Sequence, residues 1–522
     1  MLEPQDSEYV WVVVVGFILA FVLAFGIGAN DVANSFGTSV GSKVLTLKQA
    51  CIIASIFEVA GAVLIGARVS DTVRKGIIDI NSFNGTEELA MVGSLSALTG
   101  TSVWLLIATF FNLPVSGTHS VVGATMGFAL VAHGLSGVKW PTFGTIAGSW
   151  VISPVMSGII SSLIFQFVNV LILKKALPFE AGLKYLPLFY AFTVTVNLFS
   201  VFYEGSQMLG FHKIPLYGVF IITFGGGLLT AISVKILLVP YMRRRVLRVT
   251  QEERDKTIIG SPGKDVDEMF ELNDINQNKQ NTGEEKLVTD KCGQGKDEYS
   301  AGADVTSPET KYELRSESSA EESELLSEIC SPQESLEIQG PSAMEIARKK
   351  ILDEPKTAKL FSFLQVMTAC FGAFAHGGND VSNCIGPLIS LWTIFYTGYI
   401  QQKVAIPVWI LFYGGVGISI GLWVWGRRVI KTVGEDLSPI TPSSGFCIEI
   451  GSAITVLIAS NLGIPISTTH CKVGSVVMVG RVRSKMVVDW SIFKNVVFAW
   501  IVTMPVAGGL SAAVYAGLRE VI

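Results

Sequence analysis

Stretches of about 20 apolar residues follow one another along most of this 522-residue chain, each long enough to cross a hydrocarbon core of about 30 Å. Inside hydrocarbon every backbone amide and carbonyl must find its partner within the protein, so runs of this length read as helices. Only 16% of the residues are charged, where a soluble chain carries roughly 25%. Candidate spans fall at 9–29, 46–67, 90–111, 114–135, 143–173, 186–209 and 214–240, then at 359–378, 404–426, 445–461, 465–480 and 487–520. The sequence therefore predicts an all-α polytopic membrane protein of about twelve transmembrane segments. The pieces at 114–135 and 465–480 are short and interrupted by Pro and Gly, which predicts discontinuous or re-entrant helices near the midplane.

Three polar motifs occur twice. Gly28-Ala29-Asn30-Asp31-Val32-Ala33-Asn34 returns as Gly378-Asn379-Asp380-Val381-Ser382-Asn383. Leu113-Pro114-Val115-Ser116-Gly117-Thr118-His119 returns as Ile464-Pro465-Ile466-Ser467-Thr468-Thr469-His470. Ser149-Trp150-Val151-Ile152-Ser153-Pro154 is matched by Ala499-Trp500-Ile501-Val502-Thr503-Met504-Pro505. Carboxylates, amides and hydroxyls duplicated within apolar segments are the mark of two transporter halves meeting around one polar site.

Charge places the halves. An acidic start (Glu3, Asp6, Glu8) argues against a cleaved leader and for a first span that begins outside. Lys174 and Lys175 follow the fifth span, and Arg243, Arg244, Arg245 and Arg248 follow the seventh, so an outside start leaves both clusters in the cytoplasm. The same count puts the acceptor Asn84-Gly85-Thr86 outside, where Asn84 is open to glycosylation. Residues 1–175 then form a first transmembrane repeat, 176–242 two linking helices, and 359–522 a second repeat of inverted topology. Both termini are expected outside. Residues 243–358 are rich in Glu, Ser, Lys and Gln, with the run Ser316-Glu317-Ser318-Ser319-Ala320-Glu321-Glu322-Ser323-Glu324, and are expected to be a disordered cytoplasmic loop. The seven cysteines show no metal or disulfide spacing, and nothing in the chain looks enzymatic or suited to nucleic acid.

Asn30, Asp31 and Asn34, with Asn379, Asp380 and Asn383, offer hard oxygens of the kind that bind Na⁺. The preceding glycines are expected to let the helix unwind there, and no basic residue accompanies either copy in sequence. The simpler reading is capping alone. In Ser116-Gly117-Thr118 and Ser467-Thr468-Thr469, proline followed by hydroxyls reads as a helix start, whose free amides and dipole suit an anion. Two such starts would cradle a tetrahedral oxyanion. The bland alternative is an ordinary cap at a kink. Glu58 and Glu449 lie within apolar segments and are not repeat equivalents, so symmetry does not explain them. Holding a cation, carrying a proton, bonding a protonated phosphate oxygen and plain structural bonding all remain open. His119, His470 and His376 are structural groups, anion donors or pH sensors, and Lys472 reads as a snorkelling surface lysine or a substrate contact.

The pair Gly-Ala-Asn-Asp-Val-Ala-Asn-Ser-Phe-Gly (28–37) and His-Gly-Gly-Asn-Asp-Val-Ser-Asn (376–383) resembles the signature of the inorganic phosphate transporter (PiT) family, specifically its animal sodium–phosphate symporters. The likeness extends to Thr441-Pro442-Ser443-Ser444-Gly445-Phe446 and Ser467-Thr468-Thr469-His470-Cys471-Lys472-Val473-Gly474, but not to the polar loop, which is short for an animal member. The resemblance implies a plasma-membrane homodimer of about twelve spans that takes up monovalent phosphate with Na⁺, without any cofactor beyond the co-transported ion. It also implies Asp31 and Asp380 as cation-site residues, Glu58 and Glu449 as transport-essential glutamates, and the Ser/Thr groups of both helix starts as phosphate ligands. A proton-coupled phosphate or sulfate permease, a membrane receptor or scaffold, and a channel are the competing expectations.

Overall fold

A computed structural model describes residues 2–203, 210–248, 352–401, 406–431, 438–484 and 488–521. The stretch read as a disordered loop lies almost wholly outside the described residues. Twelve principal helices account for most of the rest: α1 (Val10–Gly41), α2 (Leu47–Lys75), α3 (Glu87–Phe110), α4 (Gly117–His133), α5 (Trp140–Val168), α6 (Pro178–Phe202), α7 (Leu216–Ser233), α8 (Pro355–Thr397), α9 (Val408–Trp425), α10 (Pro442–Asn461), α11 (Thr468–Arg483) and α12 (Trp490–Leu518). Eleven helices among the described residues are long and apolar enough to cross a membrane. The exception among the twelve is α11, whose 16 residues rise only about 24 Å.

The outward faces are hydrocarbon. Ile18, Ile56, Val151, Leu163, Ile221, Phe224, Leu228 and Phe498 are all exposed, as lipid-facing positions of spanning helices should be. Polar residues turn inward instead, with Asp31, Asp380, Glu58 and Glu449 each at most 1% exposed. Each short helix is swapped onto the other part of the chain. The α4 helix packs on α12, and α11 packs on α5, while α1 and α2 both pack against α8 and α9.

One expectation fails. Neither Asn-Asp motif unwinds its helix: α1 runs unbroken for 32 residues through Gly28–Asn34, and α8 for 43 residues through His376–Asn383. The glycines serve packing. A Cβ on Gly28 would overlap the carbonyl oxygen of Ile418 on α9, and one on Gly377 would overlap that of Glu58 on α2. Small residues let helix backbones approach closely where the surrounding lipid gives little drive for association.

The interruption lies one motif further on. Before α4 and α11 the chain runs non-helically through 113–116 and 464–467, with Val115, Ser116, Ile466 and Ser467 all buried. Ser116 Oγ accepts from His119 N and Ser467 Oγ from His470 N, both at 3.2 Å, so each serine caps its helix as its sequence position suggests.

Candidate functional site

The two extended segments must satisfy their backbone groups without water, and asparagine does this. Asn30 donates to Leu113 O at 2.9 Å and accepts from Val115 N at 3.1 Å, and Asn379 donates to Ile466 O at 3.0 Å. Asn30 also donates to Thr109, and Asn379 to Asp380, so both amides are committed to holding the hairpins. The threonines then cross over. Thr118 Oγ1 donates to Ile466 O at 3.0 Å, and Thr469 Oγ1 lies 3.2 Å from Val115 O, so each helix start is tied to the extended segment of the other.

That crossing brings the two Asp-x-x-Asn turns together. Asn34 donates to Asp31 Oδ1 at 2.9 Å and Asn383 to Asp380 Oδ1 at 3.0 Å, the same i, i+3 bond in both copies. Thr469 Oγ1 lies 3.0 Å from Asp31 Oδ1, and Thr468 Oγ1 lies 2.8 Å from Asp380 Oδ2. Asn34 also donates to Thr469, and Asn383 to Thr118, at 2.9 and 3.2 Å. Gly117 completes the ring: a Cβ built on it would stand 3.4 Å from Asp31 Oδ2 and 3.5 Å from Asn383 Nδ2.

Two oxygens in this ring are left over. Asp31 Oδ2 and Asn383 Oδ1 are buried and accept no hydrogen bond from the described residues. An unmatched buried acceptor costs free energy until a donor or cation meets it. Asp31, Asp380 and His376 can place one ligand atom each within 4.8 Å of one another, which suits a cation held between α1 and α8.

His376, four residues before Asp380 on the same helix, supplies the basic group of the cluster. Its Nδ1 lies 2.7 Å from Glu58 Oε2 and its Nε2 lies 2.8 Å from Asp380 Oδ2, so one imidazole bridges two carboxylates. Ser35 donates to Glu58 at 3.2 Å. Glu449, on α10, stands apart from this cluster, against Thr38 and Ser39, about two turns beyond Asp31 on α1. It accepts from Thr38 at 2.6 Å, Ser39 at 2.5 Å, Thr368 at 2.6 Å and Gln365 at 3.4 Å.

One further expectation changes. Lys472 is 2% exposed, buried between helices and donating to Thr38 at 3.5 Å, so it is not a snorkelling surface lysine. His119 and His470 do not join the carboxylates. Their rings meet at 4.5 Å, with His119 on Trp150 at 3.8 Å and His470 on Trp500 at 3.7 Å. The third duplicated motif thus packs against the second. The sequence reading missed Ser35, Thr38 and Ser39, which bind the glutamates, although hydroxyls at helical spacing directly after the first motif could have signalled them; Thr368 and Gln365 carried no comparable signal. Asn84 is exposed at the end of a short 3₁₀ turn, Ile80–Phe83.

This geometry has close relatives. The chain is 41% identical to sodium-dependent phosphate transporter 1 of Felis catus, an alignment covering 99% of this chain and 96% of that protein. It is also 41% identical to sodium-dependent phosphate transporter 2 of Homo sapiens, covering 98% of each. A solved structure described as the sodium-dependent phosphate transporter superposes with a TM-score of 0.72 at 31% identity, covering 98% of this chain and all of that one. The profile of the phosphate transporter family matches residues 27–511, which enclose every duplicated motif. A match of that extent means that the chain belongs to the phosphate transporter family.

Proposed function

We propose that this protein carries inorganic phosphate across a membrane together with Na⁺, by alternating exposure of the ring between α1, α4, α8 and α11. One observation carries the reading. A buried carboxylate oxygen without a donor, Asp31 Oδ2, stands beside Gly117 at the start of a capped helix, while Thr468 and Thr469 open the matching helix opposite. Cation and anion ligands therefore share one water-poor site. Na⁺ binds at Asp31, Asn34, Asp380 and Asn383, and the anion rests on the amides and hydroxyls of Ser116-Gly117-Thr118 and Ser467-Thr468-Thr469. Asn30 and Asn379 act by shaping the hairpins instead of ligating the ion.

Charge sets the order. Phosphate approaching Asp31, Asp380, Glu58 and Glu449 in a low dielectric is repelled until a cation is present, so Na⁺ binds first. Monovalent phosphate is the preferred form for the same reason. The two halves act as inverted repeats, with 1–175 and 359–522 as repeats and 176–242 linking them. The protein works as a homodimer in the plasma membrane with both termini outside and the polar insert in the cytoplasm. No catalytic step is involved.

The deciding experiment is radiolabelled phosphate uptake by the purified protein in liposomes, under inward gradients of Na⁺ or choline at two pH values. Uptake that needs Na⁺ supports the reading. The Glu58–His376–Asp380 bridge favours one alternative, coupling to protons, and equal uptake in choline driven by external acid would select it. Transport that survives removal of roughly 255–345 excludes a scaffold whose working part is the insert.

A further inference from the structure

We propose that Lys472 is a cationic ligand of the transported phosphate, held in reserve by Glu449 through the Thr38 hydroxyl; this rests on the phosphate reading above. Lys472 is buried on α11, one turn after Thr468 and on the same face. An ammonium has three donors, and the hydrogen bond it makes to Thr38 Oγ1 is long at 3.5 Å. Thr38 in turn lies 2.6 Å from Glu449 Oε1, so the positive charge is balanced across a hydroxyl. Burying a lysine is expensive, and a charge held this loosely is one that another anion can capture.

The place for that anion is a cavity that Lys472 lines. Lys472, Asn34, Ser35, His376, Ser452 and Thr468 line a cavity of about 20 Å³. This is room for a single water-sized group, such as one phosphate oxygen. Two of its walls belong to the ring already described, because Thr468 lies 2.8 Å from Asp380 Oδ2 and Asn34 donates to Asp31 Oδ1. A phosphate seated on the helix starts extends one oxygen into this cavity, toward Lys472 and Ser452. The repeat counterpart of Lys472 is Val121. One half alone supplies the cation, so phosphate binds off the symmetry axis, toward α10 and α11.

The test uses the full chain in detergent at saturating Na⁺, reading the phosphate-induced rise in thermal midpoint as an apparent Kd. Lys472→Met should weaken phosphate at least about tenfold, as expected for losing a charged hydrogen bond. The stabilisation by Na⁺ alone should remain. Lys472→Met combined with Glu449→Gln should stay weak; recovery of wild-type affinity would mean that Lys472 is only a counterion of Glu449, and the proposal fails. An affinity within twofold of wild type in Lys472→Met also overturns it. Should that variant not fold, Ser452→Ala decides: about threefold weaker phosphate supports the proposal, and unchanged affinity sinks it. A wild-type protein that phosphate does not stabilise in Na⁺ removes the phosphate reading itself, and this inference with it.

Discussion

Thr469 Oγ1 on α11 stands 3.0 Å from Asp31 Oδ1 on α1, so a hydroxyl from one half of the chain closes on a carboxylate from the other. Asp31 is not held by its own half alone: Asn34 is its local donor, and Thr469 is the distant one. Replacing Thr469 with Val keeps the shape and removes the donor. A hydrogen bond to a charged group contributes about 1.5–3 kcal/mol. Thr469→Val should therefore shift the Na⁺ concentration for half-maximal uptake by about tenfold or more. Sodium titration of phosphate uptake checks this, and an unchanged midpoint would remove Thr469 from the cation site.

Asp31→Asn tests the ring from the opposite side. The amide retains an oxygen but loses the charge, and the unmatched Oδ2 position no longer calls for a cation. Sodium-stimulated uptake should fall to within about twofold of the choline background, because a neutral ligand cannot replace the Coulomb attraction in a low dielectric. Normal sodium activation in this variant would count against Asp31 as a ligand.

Gly28 is a packing position, so its substitution should act on folding. A side chain there meets the backbone of Ile418, which cannot move without shifting α9. Overpacking at such a contact costs about 1–3 kcal/mol, and Gly28→Val should lower the thermal midpoint and the yield of monodisperse protein. If the helix instead unwound at this motif, valine would be tolerated in stability and harmful only to transport.

Asp353 ties the start of α10 to the end of α11. It accepts from Ser443 N at 2.9 Å and Ser443 Oγ at 2.8 Å, capping α10, and from Arg483 of α11 at 3.0 Å. Arg483 also donates to Thr441. Removing one partner of a buried ion pair costs about 3–5 kcal/mol. Asp353→Ala should destabilise the protein by about 3 kcal/mol, the low end, since Arg483 keeps partial access to solvent. Thermal unfolding in detergent measures this, and a midpoint equal to wild type would show the pair contributes nothing.

Much of this protein was legible in its sequence because hydropathy and repetition are local. Apolar runs about 20 residues long fix where the helices are, since hydrocarbon tolerates little else. The duplicated Asn-Asp and Pro-x-Ser motifs named the carboxylates and helix starts, and the serine caps sit where chain position puts them. What the sequence could not decide depends on which helix faces which. Whether Gly28 unwinds α1 or admits α9, whether Lys472 reaches lipid headgroups or turns inward to Thr38, and whether His376 serves Glu58, are outcomes of contacts across hundreds of residues. Periodicity reports one face of one helix; the partner on that face is chosen by close packing of the whole bundle, and only the tertiary structure contains it.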